Sequence, residues 1–199
     1  MYWIGGPPDA GKSTVADALA KRFGLTVYHC DDSEQAHYPQ LPDGSAYRAL
    51  TDASPDERWV NRTAAAMFQR ELGSFRERWP LVLKDLRNYG DVPVVAEGFG
   101  LTPRLVATCA PPERALFLVP NGAFKANSFE HRGKPTGAKE TRDPERARRN
   151  ALQRDTLIAE EIRLQAEVCG MRVVEVASGT GVETLTVVIA ELFGLTTPP

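Results

Sequence analysis

The 199-residue sequence predicts an α/β fold in which a parallel sheet of five short strands carries helices on both faces. Three observations predict it. Apolar runs of strand length alternate with helical patterns from one end of the chain to the other. The connections between successive strands are long enough for right-handed crossovers, so the sheet is parallel and covered on both sides. A complete G-x-x-x-x-G-K-[ST] loop, Gly6-Pro7-Pro8-Asp9-Ala10-Gly11-Lys12-Ser13, joins the first strand pattern to the first helix pattern.

The elements follow in order. Strand one is residues 2–5. Helix one, 12–23, has Val15, Ala18, Leu19 and Phe23 at helical spacing and Gly24 where a helix commonly ends. Strand two is 26–30. A long, mainly helical stretch follows; Ser54-Pro55 gives a start signal of capping serine and first-turn proline. A helix is expected from 55 to about 72, a break, and a second helix over 74–88 around Pro80. Strand three is expected at 92–96, with Pro93 near its start, and strand four at 115–119, closed by Pro120. A long helix covers 144–168, strand five 172–176 and a last amphipathic helix 182–193. Residues 196–199 read as a frayed tail.

Composition sets bounds. The length suits one α/β domain. A net charge of −2 gives no general attraction to nucleic acid or membrane surfaces, and no apolar run approaches the length of a bilayer span. A strand opening at residue 2 leaves no room for a signal peptide. Cys30, Cys109 and Cys169 are odd in number and widely separated, as expected for reduced thiols in a cytoplasmic protein.

The chemistry of the loop explains its spacing. Gly6 and Gly11 let the backbone curl so that its N–H groups point inward, and the helix that follows offers unpaired N–H groups and its positive dipole end to the same anion. Lys12 reaches β- and γ-phosphates, and the Ser13 hydroxyl suits Mg²⁺. Gly6, Pro7, Pro8, Asp9, Ala10, Gly11, Lys12, Ser13 and Thr14 are therefore the expected binding residues for ATP or another nucleoside triphosphate with Mg²⁺.

Ligands of such a sheet collect at the carboxyl ends of its strands. Strand two ends in Asp31-Asp32. One of this pair is expected to accept the proton of an attacking hydroxyl, with Asp32 favoured as the base, and Asp31 to serve the Mg²⁺ shell and the substrate; both residues also suit caps and turns. Strand three leads into Glu97-Gly98, where Glu97 suits Mg²⁺ through water or a substrate hydroxyl, and Gly98 lets a ligand approach the backbone. Gly179, in the loop after strand five, reads either as a backbone contact under a purine ring or as a plain turn. Residues 125–150 carry eight basic side chains against four acidic ones, the composition of a flap that closes over polyphosphate. Within it Arg132 and Arg149 are candidates for nucleotide contact, Arg142 and Arg146 for stabilising the transferring phosphoryl group. Tyr47, Arg48, Trp59 and Arg62 are candidates for an acceptor pocket, the two aromatic residues also suiting a helix core.

The loop with its following Thr14, the Asp31-Asp32 pair, Glu97-Gly98 and the arginine-rich stretch before strand five occur in an order that resembles the small P-loop kinases, the group of shikimate, gluconate and adenylate kinases and chloramphenicol phosphotransferase. The resemblance implies a three-layer P-loop NTPase fold with sheet order 2-3-1-4-5, a lid at about 125–150 between strands four and five, and an acceptor-binding helical region at about 33–91. It implies transfer of the γ-phosphate to a hydroxyl of a small-molecule acceptor. Lys12 and Ser13 match the group's phosphate and Mg²⁺ residues, Asp32 its substrate-side acid, and Arg142 or Arg146 its lid arginine. A nucleoside or nucleotide kinase, for which Arg48, Arg62 and Arg87 could supply the extra phosphate contacts, and a slow nucleotide-dependent switch are the alternatives. Acceptor, base preference and oligomeric state stay open.

Overall fold

The computed structural model describes residues 1–131, 135 and 137–196. The expected tail therefore lies, beyond residue 196, outside the described residues. Five parallel strands, β1 (Tyr2–Gly5), β2 (Thr26–His29), β3 (Val94–Gly98), β4 (Ala115–Pro120) and β5 (Arg172–Val176), form one sheet in the order β2-β3-β1-β4-β5. The helices are α1 (Lys12–Phe23), α2 (Glu34–His37), α3 (Ala46–Thr51), α4 (Pro55–Trp59), α5 (Ala64–Arg87), α6 (Pro103–Val106), α7 (Gly122–His131), α8 (Pro144–Val168) and α9 (Val182–Phe193).

Strand alternation sorts the core into two layers. Trp3, Val94, Ala96, Phe117 and Val119 face α5 and α8 through Trp79, Val82, Leu86, Ile158 and Ile162. Their neighbours Ile4, Val95, Leu116 and Leu118 face α1 and α9 through Val15, Leu19, Ile189 and Phe193. Both sheet faces are thus apolar, which is why the strands read as near-continuous hydrophobic runs.

Two expectations are corrected. The helical stretch after strand two breaks at 60–63, not near 73. Ser54 starts α4 with a reciprocal capping box with Glu57, and Thr63 Oγ1 accepts from Ala66 N at 3.2 Å to start α5. From there α5 runs unbroken through Gly73 and Pro80. Gly73 is in the helix because α3 packs there: a Cβ would stand 3.3 Å from Ala46 Cβ. Pro80 lies on the exposed side, where its ring points away from the core. Second, β3 begins after Pro93 and ends two residues later than expected. The Pro93 carbonyl accepts from Thr26 N at 2.9 Å, and Glu97 and Gly98 become the last sheet residues, opposite Ile4 and Gly5.

Candidate functional site

The loop after β1 has the backbone that its glycines permit. Gly6 has φ 140°, and a Cβ there would lie 2.1 Å from the Leu118 carbonyl oxygen, so only glycine lets the chain cross β4. Gly11, φ 79°, caps α1 in the left-handed conformation. Lys12 is buried, and its ammonium donates to the Pro7 carbonyl at 2.9 Å, folded back over its own loop. Burial lowers its pKa, against the opposing pull of the Asp31 and Glu97 carboxylates. Ser13 and Thr14 are exposed in the first turn of α1.

This loop forms one wall of a cleft of about 1000 Å³, lined by residues 8–14 and Asp31 and, from the helical layer, by Glu34, Tyr38, Tyr47, Trp59, Glu71, Phe75, Arg78, Phe99, Arg154 and Asp155. Nucleotide-loop residues and the expected acceptor region thus share one space. Carboxylates on its walls (Asp9, Asp31, Glu34, Asp52, Glu71, Asp155) outnumber the cationic side chains (Lys12, Arg58, Arg78, Arg154) among the described residues. Aromatic faces carry the guanidinium groups: Arg58 and Arg154 each stand 5.1 Å from the Trp59 ring, and Arg78 5.1 Å from Tyr47.

Along the walls of the cleft runs a chain of buried charges. Lys125 on α7 meets Asp9 Oδ2 at 3.0 Å, the Pro8 carbonyl at 2.9 Å and Asp155 Oδ2 at 2.6 Å. Asp155 in turn accepts from Arg154 at 2.6 Å, and Arg154 meets Glu71 Oε1 on α5 at 2.6 Å. The loop, α7, α8 and α5 are joined through side chains that are each more than nine-tenths buried. Arg78 is held by Glu34 at 2.8 Å and by the Cys30 carbonyl at 2.7 Å.

The strand-end acids divide. Asp31 lines the cleft, and its Oδ1 accepts from Phe99 N at 3.3 Å. Asp32 is exposed and outside the cleft lining; its N–H closes a turn onto the His29 carbonyl at 3.1 Å. The position that lines the cleft is thus Asp31, one residue before the Asp32 favoured as base, because the chain turns at once after β2. Glu97 is buried at the end of β3; Oε1 meets His29 Nδ1 at 2.7 Å, while Oε2 is buried with no hydrogen-bond partner among the described residues. Burial works against the His29 imidazolium, but Glu97, with Asp17 and Asp32 beyond it, raises the pKa above its ordinary value. Gly98 is glycine because a Cβ would stand 2.6 Å from Cys30 Cβ and 3.3 Å from Asp31 Oδ1. Burial pushes the Cys30 thiol well up, so it stays an inert thiol.

The other expected residues that are described are not gathered at the cleft, Tyr47 and Trp59 excepted. Arg142 is exposed and anchored to α4 and its exit, its N–H donating to Asp56 Oδ1 at 2.9 Å and its guanidinium to Asn61 Oδ1 at 2.6 Å. Arg146 is exposed in the first turn of α8, and Arg149 reaches Glu145 on its own helix at 3.6 Å. Arg48 pairs with Asp43 and lies over Tyr38; Arg62 is exposed; Gly179 sits in an exposed turn. None of these lines the cleft. Arg132 lies outside the described residues. The cleft's own charged residues Glu71, Arg78, Arg154 and Asp155, and its Phe99, were not singled out from the sequence, and Lys125 only as part of the basic segment. Their signal was there: Arg154 interrupts the stripe Ala147, Ala151, Ile158, Ile162 on α8, and Arg78 the stripe Phe75, Trp79, Val82 on α5, charges at core spacing.

Oxygen donors at the loop's edge suit Mg²⁺. The Ser13 hydroxyl and Asp31 carboxylate stand on the same cleft, and Mg²⁺ takes one or two protein oxygens together with phosphates rather than a protein cage. Glu97 Oε2, without a hydrogen-bond partner among the described residues, is a further acceptor at the end of β3. Among the described residues no group of three or more His, Cys, Asp or Glu could hold a metal by itself.

Sheet order, loop and cleft together define a three-layer P-loop fold. Two solved structures are similar. A sugar kinase from Janibacter sp. HTCC2649 has 14% identity over 98% of this chain and 94% of its own, at a TM-score of 0.52. Shikimate kinase from Acinetobacter baumannii, solved with shikimate, has 17% identity over 96% and 90%, at a TM-score of 0.50. At such identities the likeness is one of fold. A tRNA dimethylallyltransferase from Koribacter versatilis is 31% identical over 117 residues, 58% of this chain; the match spans 38% of that protein's length. No protein-family model matches the chain. Among the described residues no helix is long and apolar enough to cross a membrane.

Proposed function

We propose that the protein is an ATP-dependent kinase that transfers the γ-phosphate to a hydroxyl of a small-molecule acceptor. The observation that carries this reading is that the phosphate loop with Lys12 and the carboxylate of Asp31 open onto one cleft large enough for two ligands. The triphosphate would lie along the loop and the N-terminus of α1, with the Lys12 ammonium turning from the Pro7 carbonyl to the β- and γ-phosphates. The Ser13 hydroxyl would hold Mg²⁺, which supplies charge neutralisation on the phosphates.

On the other side, Asp31 rather than Asp32 is proposed to accept the acceptor's hydroxyl proton, since it alone of the pair lines the cleft. The wall carboxylates and the hydroxyls of Tyr38, Tyr47 and Ser74 suit an acceptor rich in hydrogen-bond donors; Trp59, Phe75 and Phe99 cover its apolar faces. Arg58 and Arg78, which lie over Trp59 and Tyr47, add cationic groups to the same walls. The segment at 125–150 is proposed as the lid, supported by the reach of Lys125 from α7 to the loop.

Release of ADP by purified protein, assayed with Mg·ATP and a panel of polyols, sugar acids and nucleosides, tests the reading. ADP release that rises with one acceptor is the expected result; release unaffected by every acceptor contradicts transfer and favours the slow switch. A second reading, transfer of a dimethylallyl group to tRNA, has the 31% identical relative in its favour. The excess of carboxylates in the cleft weighs against a polyanionic acceptor, and gel-shift titration with tRNA separates the two.

A further inference from the structure

Asp9 has φ 66°, the one non-glycine residue with positive φ among those described. It lies inside the phosphate loop, where the left-handed backbone turns the chain between Gly6 and Gly11. Aspartate reaches this region more readily than most side chains but at a cost that glycine does not carry, so a contact that holds it there shapes the loop. One contact that holds it comes from far along the chain. Lys125 on α7 pairs with Asp9 Oδ2 at 3.0 Å and donates to the carbonyl of the preceding Pro8 at 2.9 Å. One ammonium thus grips the backbone before the strained residue and its side chain. Lys125 is itself fixed by Asp155 at 2.6 Å, within the buried chain that continues through Arg154 to Glu71.

We propose that Lys125 is a positioning residue for triphosphate binding: it holds Asp9 in the left-handed conformation and so presets the phosphate loop. Lys125 touches no phosphate in this account. It acts through Asp9, and it ties the shape of the loop to α7, α8 and the acceptor wall. The inference rests on the proposed nucleotide site and goes beyond it by assigning the loop's shape to a residue on another element.

Glycine adopts φ near +66° without help, whereas alanine there is strained. The substitutions Asp9→Ala and Asp9→Gly remove the same carboxylate and differ in that respect. Titration of each with a fluorescent ATP analogue and Mg²⁺ should show Asp9→Ala binding about ten-fold more weakly than Asp9→Gly, the cost of a left-handed non-glycine residue. Lys125→Met should weaken binding by about ten-fold in the wild-type background and add no further loss in the Asp9→Gly background. A role confined to burying the ion pair predicts equal affinities for the two Asp9 variants. Should Lys125→Met not fold alone, the two Asp9 variants, which leave Lys125 paired with Asp155, carry the test. Equal binding by Asp9→Ala and Asp9→Gly, or the same Lys125→Met loss in both backgrounds, overturns the inference while the nucleotide site stands. Failure of the wild-type protein to bind the analogue overturns both.

Discussion

Asp31 and Asp32 are adjacent, yet one faces the cleft and the other faces solvent. Their amides therefore separate a catalytic role from a local one. Asp31→Asn, which keeps shape and removes basicity, should lower kcat by roughly 10² to 10⁴ with nucleotide affinity far less affected; Asp32→Asn should be nearly silent. Steady-state kinetics with the acceptor found by the panel checks both, and the reverse ranking would return the role to Asp32. Lys12→Ala should cost kcat/KM about 3–4 kcal/mol, the scale of one charge lost from a transferring phosphoryl group. His29 gives a prediction in pH. Its pKa is raised in the folded protein by Glu97, so folding binds a proton, and the stability it adds is complete below the ordinary imidazole pKa and is lost as pH rises through the folded value. The stability gap between wild type and His29→Gln, from denaturant melts, should thus be widest near about pH 5.5 and close in mild alkali; a gap that grows with pH would contradict the assignment of a charged His29–Glu97 pair.

At the scale of elements, the sequence was most readable where local chemistry decides the structure. Gly-rich loop and following helix, capping Ser54, and the apolar runs of β1, β4 and β5 carry their own signals, and they appear within a residue or two of the expected bounds. The failures have tertiary causes. Gly73 and Pro80 look like breaks, but α5 continues because α3 needs the space at Gly73 and because the proline ring faces solvent. Glu97 looked like a loop residue because a carboxylate in a central strand is costly; its pairing with His29 makes it tolerable there. The helical wall of the cleft was the least legible part. Its members come from α2, α5 and α8, far apart in sequence, and only charges at core spacing betray them. Gly98 tests the fit of the strand ends directly. A methyl group there meets Cys30 and Asp31, so Gly98→Ala should cost about 1–3 kcal/mol of stability and displace Asp31, lowering kcat. Thermal melting with unchanged midpoint would show that β2 and β3 have room the structure does not record.

For the molecule as a whole, one sheet edge carries the loop, Asp31 and Glu97, and the buried chain from Asp9 to Glu71 links that edge to the helices of the cleft. Binding of a triphosphate should therefore protect more than the loop. Hydrogen exchange in α7 and the first turns of α8 should slow with a non-hydrolysable Mg·ATP analogue, whereas α9, which packs behind the sheet, should not respond. Exchange unchanged in α7 would remove the support for a lid. The central claim is phosphoryl transfer, and mass spectrometry of a metabolite panel incubated with Mg·ATP and protein tests it most directly. A hydroxyl compound that gains one phosphoryl group, in step with ADP and only with intact Lys12, is the predicted result; ATP consumed with every panel member unchanged, or a product formed equally by Lys12→Ala, would contradict it.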